Sequence, residues 1–328
     1  MDNVLIVAEQ VAVLFVLIGF GAVLRKTRVL TESAIGGLVN LLVLIVTPCL
    51  IVDVFQRPYD PAMLKGLAIA FAIAVLGHVV AIALAFALVR HRDENVRRPL
   101  LLAAVFSNAG FMGIPLEQAI LGGRGVFFGA VYIVVFNLFM WCWGYNLMKN
   151  DELRVKSEKD GGTEERRRIL NSSFLNLHSI VNPGTVGIAL GLPLFFLSLK
   201  LPAPVAVPIH QIAGLNTPLA MIIIGFCLTD ARLGRVVRMG GVYAATAIRL
   251  VVYPLLVVAA MYPFRHALDR DTMLATTIAA SAPVAAMVSM FAAKFDRDVD
   301  AAVAVVSGTT LVSVVTMPVV IALAMSVL

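Results

Sequence analysis

Apolar stretches recur along almost the whole chain and are separated by short polar segments. A membrane-spanning helix takes roughly 20 predominantly apolar residues, and ten stretches reach about that length. They lie at 4–24, 33–53, 61–89, 99–121, 125–148, 177–199, 205–230, 238–263, 272–293 and 299–327. The pattern therefore predicts an all-α polytopic membrane protein with ten transmembrane helices.

The composition agrees with this prediction and excludes other classes. Hydrophobic residues make up 60% and charged residues 14% of the 328 positions, whereas soluble domains average roughly 45–50% apolar and about 25% charged. The net charge of +6 comes from basic residues in short loops, which indicates membrane topology rather than a nucleic-acid partner. The three cysteines lie far apart in apolar segments, so their spacing predicts no metal site, and no resident cofactor is expected.

The basic residues are distributed unequally between alternate loops. The loops after odd-numbered spans hold 19 Lys and Arg residues, and the even-numbered loops with their flanks hold 6. Cytoplasmic loops carry the excess of Lys and Arg, so the odd loops are predicted to face the cytoplasm. With ten spans, both termini then lie outside, on the periplasmic side of a cell inner membrane whose lipid bilayer surrounds the protein.

The longest polar segment, 149–176, divides the ten spans into two sets of five. Its composition predicts a cytoplasmic linker between a first five-helix repeat at 1–148 and a second at 177–328. Because five is odd, the second set enters the membrane in the opposite orientation, which is the arrangement of an inverted repeat. Thr47-Pro48 in the second span and Thr217-Pro218 in the seventh are matching features of the two halves.

The fourth span carries an unusual run at 107–115 (SNAGFMGIP), with two glycines, a proline and an asparagine. Proline removes an amide donor and disturbs the preceding turn, and the ninth span carries Ser281-Ala282-Pro283 at the corresponding place. A simple proline kink would explain either span alone. Together they favour a crossing pair of broken helices, 4 and 9, whose half-helix ends line a cavity.

The amino ends of such half-helices carry partial positive charge and bind anions without a formal cation. The site predicted at the crossing could therefore hold an anion. The residues expected to contribute to it from the two broken spans are Asn108, Gly110, Gly113, Pro115, Ser281 and Pro283.

Three ionisable residues lie at membrane depth, where the cost of burying them makes each a functional candidate. Arg249 in the eighth span could bind a substrate carboxylate, or serve as an ion-pair partner or a clamp on backbone carbonyls. His78 in the third span could carry a coupled proton, or be a packed histidine bonded to a carbonyl. Glu117 could be a proton site, or pair with Gln118, Lys65 or extracellular water.

Asn137 in the fifth span is a further candidate for the site. Its amide could donate to the cavity, or hydrogen-bond between helices. The expected coupling ion is a proton or sodium. The protein could form a homodimer, but no pattern in the sequence determines its oligomeric state.

Several motifs resemble those of the auxin efflux carrier family of secondary transporters, within the bile-acid/arsenite/auxin transporter superfamily. NAGFMGIPL at 108–116 resembles its broken-helix motif, and NPGT at 182–185 resembles the Asn-Pro-x-Thr that opens the second half. Arg249 in AIRLVVYP matches an arginine of the eighth span, and SAPVAAMVSMFAAKF at 281–295 resembles the ninth span with its crossover proline. The resemblance covers about 4–327, and the short central linker is similar to the bacterial branch.

This resemblance implies ten helices in two inverted five-helix repeats, with helices 1, 2, 6 and 7 as a scaffold and a transport domain that holds the crossover. It also implies a secondary active transporter for a small organic anion, in the bacterial branch often malonate, malate or a related dicarboxylate. An auxin-like aromatic carboxylate, or efflux of another metabolite, is the alternative substrate class.

Other function classes find less support in the sequence. An ATP-driven pump would carry a nucleotide-binding loop of the G-x-x-x-x-G-K-[ST] kind, which is absent. Intramembrane enzymes usually carry an acid pair, a His-Glu-x-x-His or a Ser–His couple, and none occurs here. We therefore predict that the protein is not an enzyme; a membrane-embedded sensor or enzyme stays the alternative from a different class.

Overall fold

The computed structural model describes residues 2–149, 183–229 and 240–328. Within these ranges the chain is helical, and the only extended pairing is an isolated antiparallel bridge between Ser107 and Val284. The helices, in chain order, are α1 Asp2–Lys26, α2 Glu32–Phe55, α3 Pro61–Leu88, α4 Glu94–Val105, α5 Ala109–Met148, α6 Pro183–Phe196, α7 Ala203–Ala213, α8 Asn216–Leu228, α9 Gly240–Phe264, α10 Arg270–Ser281, α11 Met287–Lys294 and α12 Val299–Val327.

The helices agree with the prediction of a multi-pass membrane protein. Among the described residues, six helical stretches are long and apolar enough to cross a membrane: α2, α3, α5, α7 with the first part of α8, α9 and α12. The remaining predicted spans coincide with α1, with the short apolar helix α6, and with the paired short helices at the two predicted breaks. Except for Lys149, the predicted linker at 149–176 lies outside the described residues, and so does Asn182 of the NPGT motif.

Widened turns accommodate prolines inside several helices. Pro48, Pro115 and Pro254 each follow a π-helical turn that ends two residues earlier. Proline lacks the amide hydrogen, and its ring clashes with the carbonyl four residues before it; a π turn relieves this conflict by shifting the bonding to residues five apart. The helix therefore continues through Pro115, and the break predicted within 107–115 begins before it, at 106–108.

Three interruptions divide the helices of the chain. Residues 106–108 separate α4 from α5, and residues 282–286 separate α10 from α11. Within α5, Gly122 has a φ of 62°, a left-handed conformation that glycine adopts without strain. It divides α5 into a first arm, 109–121, and a second arm, 123–148, at the boundary predicted between the fourth and fifth spans.

Four helices pack in two pairs. Helix α1 packs along α8, and helix α2 packs along α6. The backbones of α1 and α8 approach so closely that a Cβ atom on Gly21 would overlap the carbonyl of Ile222, and one on Gly225 would overlap the carbonyl of Ile18. Small residues permit such contacts between membrane helices, so these glycines determine the distance between α1 and α8.

The largest apolar cluster lies between α3, α4, the second arm of α5, α9, α10, α11 and the first half of α12. Phe106 and Val284, which belong to the two interruptions, are fully buried in it. Backbone groups that a broken helix leaves free must be satisfied by protein or by water in a cavity. The surrounding helices supply that environment for both interruptions.

Candidate functional site

The two interruptions cross and bind each other through their backbones. The amide of Asn108 donates to the carbonyl of Pro283 at 2.6 Å, and the amide of Ala285 donates to the carbonyl of Phe106 at 3.0 Å. These two bonds flank the Ser107–Val284 bridge. They satisfy groups that the broken helices leave without partners, so the crossing is a paired element rather than two independent kinks.

Four helix ends meet at this crossing. Helices α4 and α10 end there with their carboxyl termini, and α5 and α11 begin there with their amino termini. Carboxyl ends carry partial negative charge, and amino ends carry partial positive charge with unbonded amides. In α5 the first intrahelical bonds run from Met112 and Gly113 to the carbonyl of Asn108, whose side chain makes no capping hydrogen bond. The amino end of α5 therefore keeps free amide N–H groups, which can donate hydrogen bonds to a ligand.

Space lies beside the amino end of α5. A Cβ atom built on Gly110 would meet no other atom within 4 Å, and Gly110 is partly exposed whereas its neighbour Ala109 is buried. Gly113, one turn later, packs against Ala109 and the backbone of Ala279. Of the two predicted site glycines, Gly110 borders open space and Gly113 serves helix contact.

Arg249 occupies the carboxyl ends of both broken helices. It is fully buried on α9, donates from Nη1 to the carbonyl of Val105 at 2.7 Å, and donates from Nη2 to the carbonyl of Ala280. Its guanidinium lies 4.4 Å from the ring centre of Tyr253, and its Nε has no partner among the described residues. The contacts are those of the carbonyl clamp that the sequence left as one alternative, and no carboxylate is among them.

A cationic side chain is well matched to this position. The carbonyls of Val105 and Ala280 belong to the last turns of α4 and α10, where the helix dipole favours positive charge. The planar fork of arginine reaches two acceptors at once, which an ammonium group does less well. Arg249 therefore stabilises the two negative helix ends, and no acidic residue lies in the first turn of α5 or of α11.

His78 lies in a buried aromatic cluster close to Arg249. Its Nδ1 lies 2.8 Å from the carbonyl of Ala74, one turn earlier in α3, and its Nε2 has no partner among the described residues. The ring stacks on Phe139 at 5.1 Å and lies 5.3 Å from the ring of Tyr132. These contacts are those of a packed histidine bonded to a backbone carbonyl, the second of the two sequence interpretations.

A chain of hydroxyl groups connects the crossing to this cluster. The hydroxyl of Ser107 lies 3.4 Å from that of Tyr132, which lies 3.2 Å from that of Tyr253. Sequence reasoning missed both tyrosines. Tyr253 could have been found, since it follows Arg249 by four residues and shares its helix face; no sequence signal points to Tyr132.

Glu117 is buried on the first arm of α5. Its side chain has no exposed surface, and neither carboxyl oxygen has a hydrogen-bond partner among the described residues. A Cβ atom on Gly129, in the second arm, would overlap the carboxyl group. Among the described residues the carboxyl group pairs with neither Gln118 nor Lys65. The missing side chain at position 129 provides the space that takes the carboxyl group into the interior.

The other predicted site residues make local contacts. Asn137 donates to the carbonyl of Ile133 in its own helix at 2.9 Å, and Ser281 donates to the carbonyl of Ile278 at 2.9 Å. Pro283 contributes its carbonyl to the crossing, as described above. The hydroxyl of Thr309, on α12, accepts from the amide of Val284 at 3.2 Å, and sequence reasoning did not anticipate this support of the crossing.

A small apolar cavity lies next to the first arm of α5. Its lining includes Met112 and Leu116 from this arm, Leu14 from α1, Met221 from α8 and Met317 from α12. The cavity thus separates the arm from the α1–α8 pair. Methionine side chains adapt to changes in shape, so this contact between the arm and its neighbours is a deformable one.

Comparison with known proteins gives one match. The model of the family described as "Membrane transport protein" matches residues 6–321 of the chain. No curated protein matches it significantly.

Proposed function

Because the chain belongs to this auxin efflux carrier-like family of membrane transport proteins, we propose that it is a secondary carrier for a small organic anion. The substrate is a dicarboxylate such as malonate or malate. The protein moves it across the cell inner membrane by alternating access, with the crossing of the broken helices as the binding site.

The observation that carries this proposal is the distribution of charge around the crossing. Arg249 covers the carboxyl ends of α4 and α10, and the amino ends of α5 and α11 keep their partial positive charge. Amino ends of helices bind carboxylates and phosphates through their free amides. An anion is therefore the ligand that this arrangement favours, and the open space beside Gly110 gives it access to one of the two ends.

The number of positive ends favours a dicarboxylate over a monocarboxylate. Helices α5 and α11 begin on opposite sides of the paired segments 106–108 and 282–286. Each amino end is equivalent to roughly half an elementary positive charge, and Arg249 offsets the two negative carboxyl ends through the carbonyls of Val105 and Ala280. A dicarboxylate that places one carboxylate at the amino end of α5 and the other at the amino end of α11 would interact with both positive ends.

Helix packing supports the proposal that 1–148 and 177–328 are two inverted five-helix repeats of a ten-helix protein. If the first span corresponds to the sixth and the second to the seventh, then the contact of α1 with α8 corresponds to the contact of α6 with α2, and both contacts are present. The same exchange pairs the fourth span with the ninth, so it maps the crossing of these two spans onto itself. Inverted repeats place a binding site at the interface between such broken helices.

The proposed topology places both termini in the periplasm and the linker at 149–176 in the cytoplasm, as the distribution of basic residues predicts. In this proposal the α1–α8 and α2–α6 pairs form the scaffold, and the helices around the crossing move against them. The adaptable methionine contacts between Met112, Met221 and Met317 lie where this movement would occur.

Thermal stability of the purified protein across a panel of anions tests the site. We expect malonate or malate to raise the apparent stability by about 2.7 kcal/mol at a hundredfold excess over Kd. Gly110→Leu should abolish this increase, because the new side chain occupies the space beside the amino end of α5. The panel includes acetate, an aromatic carboxylate and an amine of similar size.

Gly37→Leu is the matched control, since Gly37 is exposed on α2 and also has no atom near its Cβ position. It should keep the increase with malonate. Stabilisation by the amine alone, or an undiminished increase in Gly110→Leu, would contradict an anion site at the crossing. An increase with the aromatic carboxylate alone would replace the dicarboxylate by the alternative substrate class.

A further inference from the structure

The most unusual polar group outside the crossing is the carboxyl group of Glu117. It has no exposed surface, and neither oxygen has a hydrogen-bond partner among the described residues. An ionised carboxylate in such surroundings is far too costly, and a group of this kind stays neutral by holding a proton. Glu117 lies two residues after Pro115, in the same helical arm that begins at the proposed binding site.

The chain provides a specific place for this group. Gly125 and Gly129 lie four residues apart in the second arm of α5, on one helix face. A Cβ atom on Gly125 would press against the backbone carbonyl of Glu117 at 2.8 Å, and one on Gly129 would overlap the carboxyl group itself. On the other side, the carboxyl group lies near Gly113, which packs on α10. The carboxyl group is thus enclosed by the two arms of α5 and is next to the π turn that starts the first arm.

Among the described residues, no charged side chain pairs with the carboxyl group of Glu117. The titratable residues on the elements packed against α5 include Asp53 on α2, Lys65 and His78 on α3, Arg124 and Tyr132 in the second arm, and Arg270 and Asp271 at the start of α10. Arg124 binds Asp269 and Asp271, and none of these residues contacts the carboxyl group of Glu117. A carboxyl group that served only to hold the helices together would be paired with one of them.

We propose that Glu117 is the proton-coupling residue of the carrier, an inference that rests on the proposed anion transport. In the described conformation the carboxyl group is protonated and enclosed. When the first arm moves, the O–H bond of Glu117 breaks and the proton passes to water on the releasing side; a proton from water on the loading side re-forms the bond. One proton therefore moves with each substrate cycle, and neither His78 nor an added sodium ion is needed.

Coupling of this kind has an energetic purpose. An inside-negative membrane potential opposes uptake of an anion by about 2.3 kcal/mol per charge for each 100 mV. A proton carried in the same cycle offsets one of these charges. The location of Glu117 within the arm links the two events mechanically, because the same helical arm holds both the substrate-binding amino end and the proton.

The test uses the full-length protein in liposomes with labelled malonate, and compares wild type with Glu117→Gln. In exchange mode, with malonate on both sides, Glu117→Gln should stay within about twofold of wild type, since no net proton movement is required. In accumulation mode, driven by an acid exterior, wild type should concentrate malonate and acidify the lumen. Glu117→Gln should do neither. Glu32→Gln, an exposed carboxyl group on α2, should behave as wild type.

Each other outcome is decisive. If wild type exchanges malonate and the other anions of the panel but never acidifies the lumen, the coupling inference is overturned while the carrier proposal stands. If Glu117→Gln still accumulates malonate, another residue carries the proton. If wild type moves no anion in either mode, the proposed function fails and the inference fails with it. Because a neutral group must fit this site, loss of folding in both Glu117→Gln and Glu117→Met would also overturn it.

Discussion

Replacing Arg249 with glutamine is expected to destabilise the protein by about 3 kcal/mol or more, because the change removes the shared donor from two buried carbonyls. The carbonyls of Val105 and Ala280 would be left without Nη donors, and two negative helix ends would face each other without a cation. Malonate exchange should be lost together with stability. The apparent melting temperature in detergent measures the first effect, and liposome exchange measures the second.

A matched control for this change exists at the end of the same helix segment. Arg265 also binds a carbonyl, that of Tyr262, and also lies over a tyrosine ring, at 4.1 Å, but at the surface. Arg265→Gln should change stability little, as exposed interactions of this kind contribute little. Arg249→Lys should be intermediate, because an ammonium group cannot reach both carbonyls with the geometry of the guanidinium fork. A melting temperature for Arg249→Gln equal to that of wild type would contradict the clamp.

Replacing Gly129 with alanine is the second change with a large expected effect. The new methyl group would overlap the carboxyl group of Glu117, which has no exposed surface. Overpacking in a filled interior typically costs about 1–3 kcal/mol, and we expect a value near the upper end of that range. The melting temperature of Gly129→Ala in detergent measures it.

A double substitution distinguishes steric overlap from a general intolerance of alanine in this helix. In a protein that already carries Glu117→Ala, the obstructing carboxyl group is absent, and Gly129→Ala should cost far less stability than it does in wild type. A double-mutant cycle would report this difference as a large coupling energy between positions 117 and 129. Gly36→Ala, where no atom lies near the Cβ position, should be neutral. Strictly additive effects at positions 117 and 129 would show that the carboxyl group does not lie against Gly129.

Much of the fold follows from local patterns in the sequence. The lengths of the apolar stretches predicted where the helices lie, and Gly122 separates the two arms at the boundary that hydropathy suggested. The paired anomalies, residues 107–115 and Ser281-Ala282-Pro283, correctly indicated two helix interruptions. Their exact position was harder to predict, because a π turn accommodates Pro115 and moves the first interruption ahead of it.

The roles of the ionisable residues depend on contacts that no local pattern encodes. From the sequence alone, Arg249 could bind a substrate or clamp backbone carbonyls. Its hydrogen bonds to the carbonyls of Val105 and Ala280 are those of a clamp, and these residues lie 144 and 31 positions away in the sequence. Glu117 follows a proline near the end of a predicted span, and this position suggested contact with extracellular water. It is buried because Gly129, twelve residues later and beyond the turn at Gly122, leaves the space it fills.

Exchange of labelled malonate or malate by the purified protein in liposomes tests the central claim most directly, that the crossing of the broken helices carries a small organic anion. Wild type should exchange at least one dicarboxylate, and Gly110→Leu should reduce that exchange roughly tenfold or more while Gly37→Leu leaves it unchanged. Exchange by Gly110→Leu at the wild-type rate, or no exchange of any carboxylate by a folded wild-type protein, would contradict the account.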